Sequence, residues 1–196
     1  MMHIDNVPHI LKYGITHASS LNYNKQYVPI GDGSLINSRA GFVIPNGKKI
    51  GNYIPFYFGG RMPMLYVIQR GFNNVTAVNP QNIIYCVLTV KKVIENNLEF
   101  VFTNGHAVDR LSEFFELKDV PLIGDIVDFN AVKEQYWNNE NDLDLKRRKE
   151  AEFLIGCDIP VSTIAGYIVY DETTSIKLMQ MGADKDKITV RTDFYF

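Results

Sequence analysis

A chain of 196 residues, 46% hydrophobic and 21% charged, is long enough to bury a core and too apolar to stay disordered. Its 20 basic and 22 acidic side chains leave a formal charge of −2, which weighs against a large basic footprint on nucleic acid. No apolar run approaches the roughly 18 residues of a membrane span, no secretory signal is visible, and Cys86 and Cys157 are spaced for neither a metal knuckle nor a disulfide framework, so a reducing cytoplasm is expected.

Residues 5–14 read as a short helix that Asp5 or Asn6 caps, with Pro8 in its first turn and Gly14 at its end. Residues 15–50, rich in Gly, Asn, Ser and Pro, form a long irregular stretch of the kind that often carries function. An aromatic strand follows over Tyr53 to Phe58 and stops at Gly59-Gly60; Pro63 then opens a helix over Met64 to Arg70 that Gly71 closes. The continuous apolar run Ile83 to Leu88 predicts a buried strand. Val90 to Asn96 reads as a helical turn and Glu99 to Phe102 as a strand. Ala107 to Phe115 reads as a helix with Leu111, Phe114 and Phe115 on one face. Lys146 to Phe153 passes from charged to apolar, as a helix or strand entering the core does, and Ile164 to Tyr170 and Ile188 to Phe196 supply further strands. The sum is one α+β domain over residues 1–196, without the regular βα alternation of a doubly wound sheet.

No GxGxxG follows a strand, and GxxxxGK[ST], HExxH and GxSxG are all missing from the sequence. Dehydrogenases, P-loop NTPases, zinc proteases and serine hydrolases therefore lose support. Enzymatic chemistry has to come from scattered Arg, Glu, His and Tyr side chains. Three separated segments carry them: HIDNVPHIL from His3, followed by Gly14-Ile15; IGNYIPFYF from Ile50, continuing through Arg61-Met62-Pro63-Met64-Leu65-Tyr66; and KRRKEAEFL from Lys146. A weaker fourth is Thr103-Asn104-Gly105-His106-Ala107. In this order and at these separations the segments resemble the DarT family of DNA ADP-ribosyltransferases. The chain departs from the better-known family pattern Pro-Arg-Ser-Pro-Met, reading Gly59-Gly60-Arg61-Met62-Pro63-Met64 there, and only Met1 and Met2 precede the first histidine where the family has a strand.

The resemblance implies an ADP-ribosyltransferase-like fold, with a mixed or antiparallel sheet core flanked by short helices and long loops. It implies NAD as co-substrate, no metal, and as acceptor a base of single-stranded DNA, thymine favoured over guanine. It makes Glu152 and Arg39 the catalytic residues. The residue types suit the chemistry: cleavage of the nicotinamide–ribose bond passes through an oxocarbenium-like state, which a carboxylate held against the ribose stabilises. A guanidinium fork suits the two charges of a pyrophosphate. The family account also has the arginine help remove a proton from the base, an unusual task for a group that stays protonated.

The resemblance further implies NAD contacts at His3, Asn6, Gly14, Arg39 and Tyr57. Alternation puts Tyr57 on the strand face opposite Phe56 and Phe58. DNA contacts are expected at Arg61, Met64, His106, Arg147 and Arg148, with Trp137 in the loop ahead of the glutamate. Taken without the resemblance, Glu152 reads as a solvated helix residue paired with Arg148, Arg39 as a loop arginine paired with Asp32, and Tyr57 and Trp137 as packing aromatics. Transfer onto RNA or protein, or a non-catalytic NAD or nucleic-acid binding module, stay open as other functions. Family members are toxins paired with an antitoxin that removes the ADP-ribose, commonly a macrodomain hydrolase, so a partner of that kind is implied.

Overall fold

The computed structural model describes residues 1–73 and 75–196. In chain order its elements are β1 (Met2–His3), α1 (Val7–Tyr13), α2 (Gly33–Ala40), β2 (Ile54–Tyr57), α3 (Pro63–Arg70), β3 (Ile83–Val87), α4 (Val90–Glu95) and β4 (Phe100–Thr103). They continue as β5 (Phe114–Phe115), α5 (Ile123–Ile126), α6 (Phe129–Lys133), α7 (Leu145–Lys149), β6 (Glu152–Ile155), β7 (Gly166–Val169), α8 (Glu172–Gln180) and β8 (Ile188–Val190). The α+β class read from the sequence holds, with the strands divided between two four-stranded sheets. The chain forms two compact units, each assembled from separate stretches: residues 1–32, 64–98 and 157–196 make one, residues 33–63 and 99–156 the other.

In the first unit the sheet order is β1-β3-β7-β8, antiparallel except for the parallel β7–β8 pair that α8 connects. The run at β3 is continuously apolar because both of its faces are buried. Ile84 and Cys86 pack with Ile4, Val7, Ile10, Tyr167 and Leu178; Ile83 packs on the other side with Leu65, Ile68 and Tyr195. A 3₁₀ turn over Ile4–Asn6 leads into α1, which therefore starts at Val7 with Pro8 in its first turn. The helix closes at Gly14, whose φ of +80° suits glycine. Any side chain there would also run into the carbonyl of Ile159, because Ile15 bridges to Ile159 at that point. α8 lies outside the sequence-derived elements: Asp171 caps it by accepting from the Thr174 N–H at 2.8 Å, but polar residues at most positions hide its periodicity. The expected strand over Ile188 to Phe196 ends at Val190 and turns into a 3₁₀ segment, Thr192–Phe194.

The second unit holds an antiparallel sheet of order β2-β6-β4-β5. Alternation gives it two chemically distinct faces. One is a phenylalanine stack, with ring centroids 4.7 Å apart for Phe100–Phe153 and 5.4 Å for Phe102–Phe115, and Phe58 edge-on to Phe153. The other carries Leu154 and Val101 against Ile44, Ile50, Tyr53 and Ala107. The charged-to-apolar passage at 146–153 resolves into both candidates in turn, helix α7 and then strand β6.

The helix expected over Ala107 to Phe115 is absent. Residues 107–113 run in turns, Leu111 is 72% exposed, and Phe114 and Phe115 pair with Thr103 and Phe102 as β5. The Glu113 amide, which a helix would use internally, instead donates to Asn104 Oδ1 at 2.9 Å, and the Ala107 N–H donates to Glu152 Oε1 at 3.0 Å. Within the stretch read as irregular, α2 forms without a single buried residue, so it leaves no amphipathic signature. Among the described residues no helix is long and apolar enough to cross a membrane.

Candidate active site

Glu152 is the first residue of β6, a strand flanked by β2 and β4. Register pairs it with Tyr57 on one side, and the step beyond Phe153↔Phe102 sets Thr103 on the other. Thr103 Oγ1 accepts the Glu152 N–H at 3.0 Å and donates to the Gly105 carbonyl at 2.6 Å. One buried hydroxyl thus ties the glutamate's backbone to the 104–107 loop. Thr103→Val keeps the shape and removes both bonds, leaving two buried backbone groups unpaired. The expected cost is about 1–3 kcal/mol of stability, read as a lower urea midpoint.

The Glu152 side chain is 0% exposed. Its Oε2 accepts from Arg39 Nη2 at 2.6 Å and its Oε1 from the Ala107 N–H at 3.0 Å, while His106 Nε2 lies 4.0 Å from Oε1. A carboxylate this deep is tolerated only with a counter-charge and satisfied lone pairs, and it has both. The solvated pairing with Arg148 does not form. Arg39 comes from the last turn of α2, 113 residues away in sequence, and pairs with Glu152.

Arg39 Nε is buried with no hydrogen-bond partner among the described residues. Burial acts to lower the guanidinium's pKa, but the charge and hydrogen bond of Glu152, and Tyr57, outweigh it and leave the value raised. Arg39 is therefore a fixed cation. Burial first, and then the charges of Glu152 and Glu150, push the Tyr57 phenol well above its usual range against the pull of Arg39, so its proton stays on. An orphaned N–H beside a buried carboxylate and an aromatic ring suits a ligand that offers anionic oxygens, sugar hydroxyls and a flat ring. The parts of NAD match that donor set.

The structure brings Arg39, Tyr57, His106 and Glu152 together. His106 is held by its own N–H, which donates to the Arg147 carbonyl at 2.9 Å. Arg61, at a φ of +52°, donates to the Gln135 amide oxygen at 2.8 and 3.2 Å with that amide turned toward it. Arg147 grips Asp144 through two bonds of 2.6 and 2.7 Å, and Arg148 faces Asp128, Asp142 and Asp144. Trp137 is partly buried. His3, Asn6, Gly14 and Met64 belong to the first unit. There His3 Nδ1 accepts from the Asp5 N–H at 3.2 Å, and Met64 packs beside Leu65 and Ile68. The buried Asn6 amide holds the Val28 backbone, donating to its carbonyl and accepting its N–H, both at 2.9 Å.

Thr103 and Ala107 enter the sequence reading only as ends of the weaker fourth segment, Ala107 also as the start of the expected helix, without a role at the site, and the aspartates at 128, 142 and 144 were not singled out. A signal for Asp142 and Asp144 was there, since the acidic stretch Glu140 to Asp144 comes just before the basic run. Among the described residues no group of three or more His, Cys, Asp or Glu side chains is arranged to hold a metal ion.

A family model described as "DarT: ssDNA thymidine ADP-ribosyltransferase" matches residues 1–196. A DNA ADP-ribosyl transferase of Escherichia coli O127:H6 is 29% identical over 203 residues, covering 100% of this chain and 91% of that protein. The solved structure of Thermus sp. 2.9 DarT in complex with ADP-ribosylated ssDNA superposes with a TM-score of 0.83 at 28% identity, over 100% of this chain and 93% of that one. The same Thermus protein in complex with NAD+ gives a TM-score of 0.79, again at 28% identity, over 100% and 94% of the two chains. A DNA ADP-ribosyl transferase–DNA ADP-ribosyl glycohydrolase fusion protein of Thermosipho africanus is 28% identical over 182 residues, covering 90% of this chain and 43% of the fusion. The chain belongs to the DarT family, the NAD-dependent enzymes that ADP-ribosylate thymidine in single-stranded DNA.

Proposed function

We propose that this chain transfers ADP-ribose from NAD to a thymine base of single-stranded DNA, with Glu152 and Arg39 as its catalytic residues. The observation that carries the reading is the fully buried Glu152 carboxylate, pinned from one side by Arg39 and from the other by the Ala107 amide. The bond between the nicotinamide nitrogen and the ribose carbon breaks, nicotinamide leaves with the electron pair, and the carboxylate stabilises the cationic sugar. A ring nitrogen of thymine then bonds to that carbon and gives up its proton. Arg39, held charged, supports the pyrophosphate and aims the carboxylate, and the His106 ring lies 4.0 Å from the same carboxylate, on the side where the base would enter.

Tyr57 offers its ring face to the nicotinamide. We assign His3, Asn6 and Gly14 to NAD, and Arg61, Met64 and His106 to DNA, from their match to the family pattern. The two free cysteines fit a cytoplasmic enzyme. The Thermosipho fusion supports a toxin whose mark an ADP-ribosyl glycohydrolase removes.

Incubation with NAD and short oligonucleotides that differ in one base tests the acceptor. A mass gain of one ADP-ribose is expected only on strands containing thymine, and the label should vanish with DNase. A gain confined to guanine strands, or a label released by RNase or protease, would overturn the assignment.

A further inference from the structure

The run Lys146-Arg147-Arg148-Lys149 is the densest positive charge in the sequence, yet almost none of it faces outward unpaired. Lys146 Nζ donates to Glu150 at 2.6 Å. Arg147 and Arg148 together meet three carboxylates, those of Asp128, Asp142 and Asp144, so the cluster carries an excess of negative charge. Lys149 is buried and caps the end of α6, donating to the carbonyls of Val132 at 3.0 Å and Glu134 at 2.7 Å. A DNA phosphate approaching this run would have to displace carboxylates already in place.

These contacts, the Lys146 pair apart, bracket one irregular segment, residues 134–144: Glu134, Asp142 and Asp144 lie at its ends, and Asp128 and Val132 lie ahead of it. Lys149 fixes its entry. Arg148 ties its exit at Asp142 and Asp144 back to Asp128, which lies before α6. Arg147 holds Asp144 and also reaches Asn104 Oδ1 at 3.4 Å and Ser112 Oγ at 3.3 Å, which links the segment to the loop bearing His106. Between these anchors the segment projects Tyr136, 72% exposed, and Leu143, 90% exposed. The Arg148 side chain is 27% exposed, and partly solvated ion pairs of this kind add little to folding stability. Their geometric effect is larger, because one planar guanidinium fixes three carboxylates at once.

We propose that Arg148 is a positioning residue: with Asp128, Asp142 and Asp144 it presets the 134–144 segment for single-stranded DNA, without itself contacting the DNA. The proposal rests on the functional reading above. Pre-ordering a segment that carries exposed aromatic and apolar side chains removes an entropic cost from binding.

The two roles an arginine can play here predict opposite signs at Asp142. If Arg148 touched phosphate, Asp142→Asn would free it and tighten DNA binding. If Arg148 is a clamp, Asp142→Asn loosens the segment and weakens binding, as Arg148→Ala does. The experiment measures KM for a thymine-containing oligonucleotide at several salt concentrations, together with kcat, KM for NAD and the unfolding midpoint. The expected result is a rise in oligonucleotide KM of roughly tenfold for Arg148→Ala and about threefold for Asp142→Asn. Arg148→Lys, which keeps the charge but not the three-way fork, should fall between wild type and Arg148→Ala. KM for NAD and the salt slope should stay as in the wild type. Tighter binding by Asp142→Asn, or a salt slope reduced by about one in Arg148→Ala, would establish a phosphate contact and overturn the clamp. Lowered unfolding midpoints with an unchanged oligonucleotide KM would reduce the cluster to a structural brace and overturn it equally. A wild-type protein that modifies no oligonucleotide would instead sink the functional reading.

Discussion

Glu152→Gln is expected to slow ADP-ribosyl transfer by a factor on the order of 10² to 10³, the usual loss when one electrostatic stabiliser of a transition state is removed. The glutamine occupies the same volume and its oxygen can still accept the Ala107 N–H, so the 104–107 loop keeps its anchor. What disappears is the negative charge that, in the proposed reaction, faces the sugar as nicotinamide departs. Arg39 loses its counter-charge in the same change, so a fall in stability of up to about 3 kcal/mol should accompany the rate loss. Folded protein with NAD affinity near that of the wild type and a collapsed turnover rate is the signature of a group that acts in the transition state. A parallel loss of NAD binding would make Glu152 a ligand anchor instead.

Arg39 carries the second large effect. Arg39→Met leaves a carboxylate with no exposure and no cation beside it, a change that typically costs about 3–5 kcal/mol. Arg39→Lys separates charge from shape. An ammonium can replace the 2.6 Å contact to Glu152, but it has no equivalent of the second, buried Nε–H that stands without a partner. The lysine variant should therefore fold, and its KM for NAD should rise by roughly tenfold or more, the discrimination expected when one charge-assisted hydrogen bond is lost. Michaelis constants for NAD measured on both variants check this. A lysine variant with the wild-type KM would show that the orphaned N–H has no ligand to meet.

Much of the scaffold was legible because local signals and packing agree. The aromatic strand before Gly59-Gly60, the Pro63 helix and the apolar run at Ile83 lie where composition and turn residues put them. Legibility failed where long-range contacts outrank local pattern. The spacing of Leu111, Phe114 and Phe115 is helical, but Asn104 captures the Glu113 amide and the two phenylalanines complete a sheet instead. The two-unit organisation left no linker to find, since the chain passes between units at residues 32–33, 63–64, 98–99 and 156–157. At the candidate site, the family pattern pointed to both Glu152 and Arg39, whereas the local sequence pointed to Arg148 as the partner of Glu152. Its real partner sits 113 residues earlier on a helix without a buried face, which no periodicity could reveal. The basic run shows the reverse problem. Four consecutive cations read as a nucleic-acid contact, and the sequence does not show that two of them, Arg147 and Arg148, pair with Asp128, Asp142 and Asp144.

In the proposed reaction the buried carboxylate of Glu152 drives the departure of nicotinamide. Single-turnover release of nicotinamide, with NAD saturating and a thymine oligonucleotide already bound, isolates that step from binding and product release. A fast phase is expected in the wild-type protein, falling by at least about a hundredfold in Glu152→Gln at equal occupancy by NAD. Equal single-turnover rates in the two proteins would contradict it.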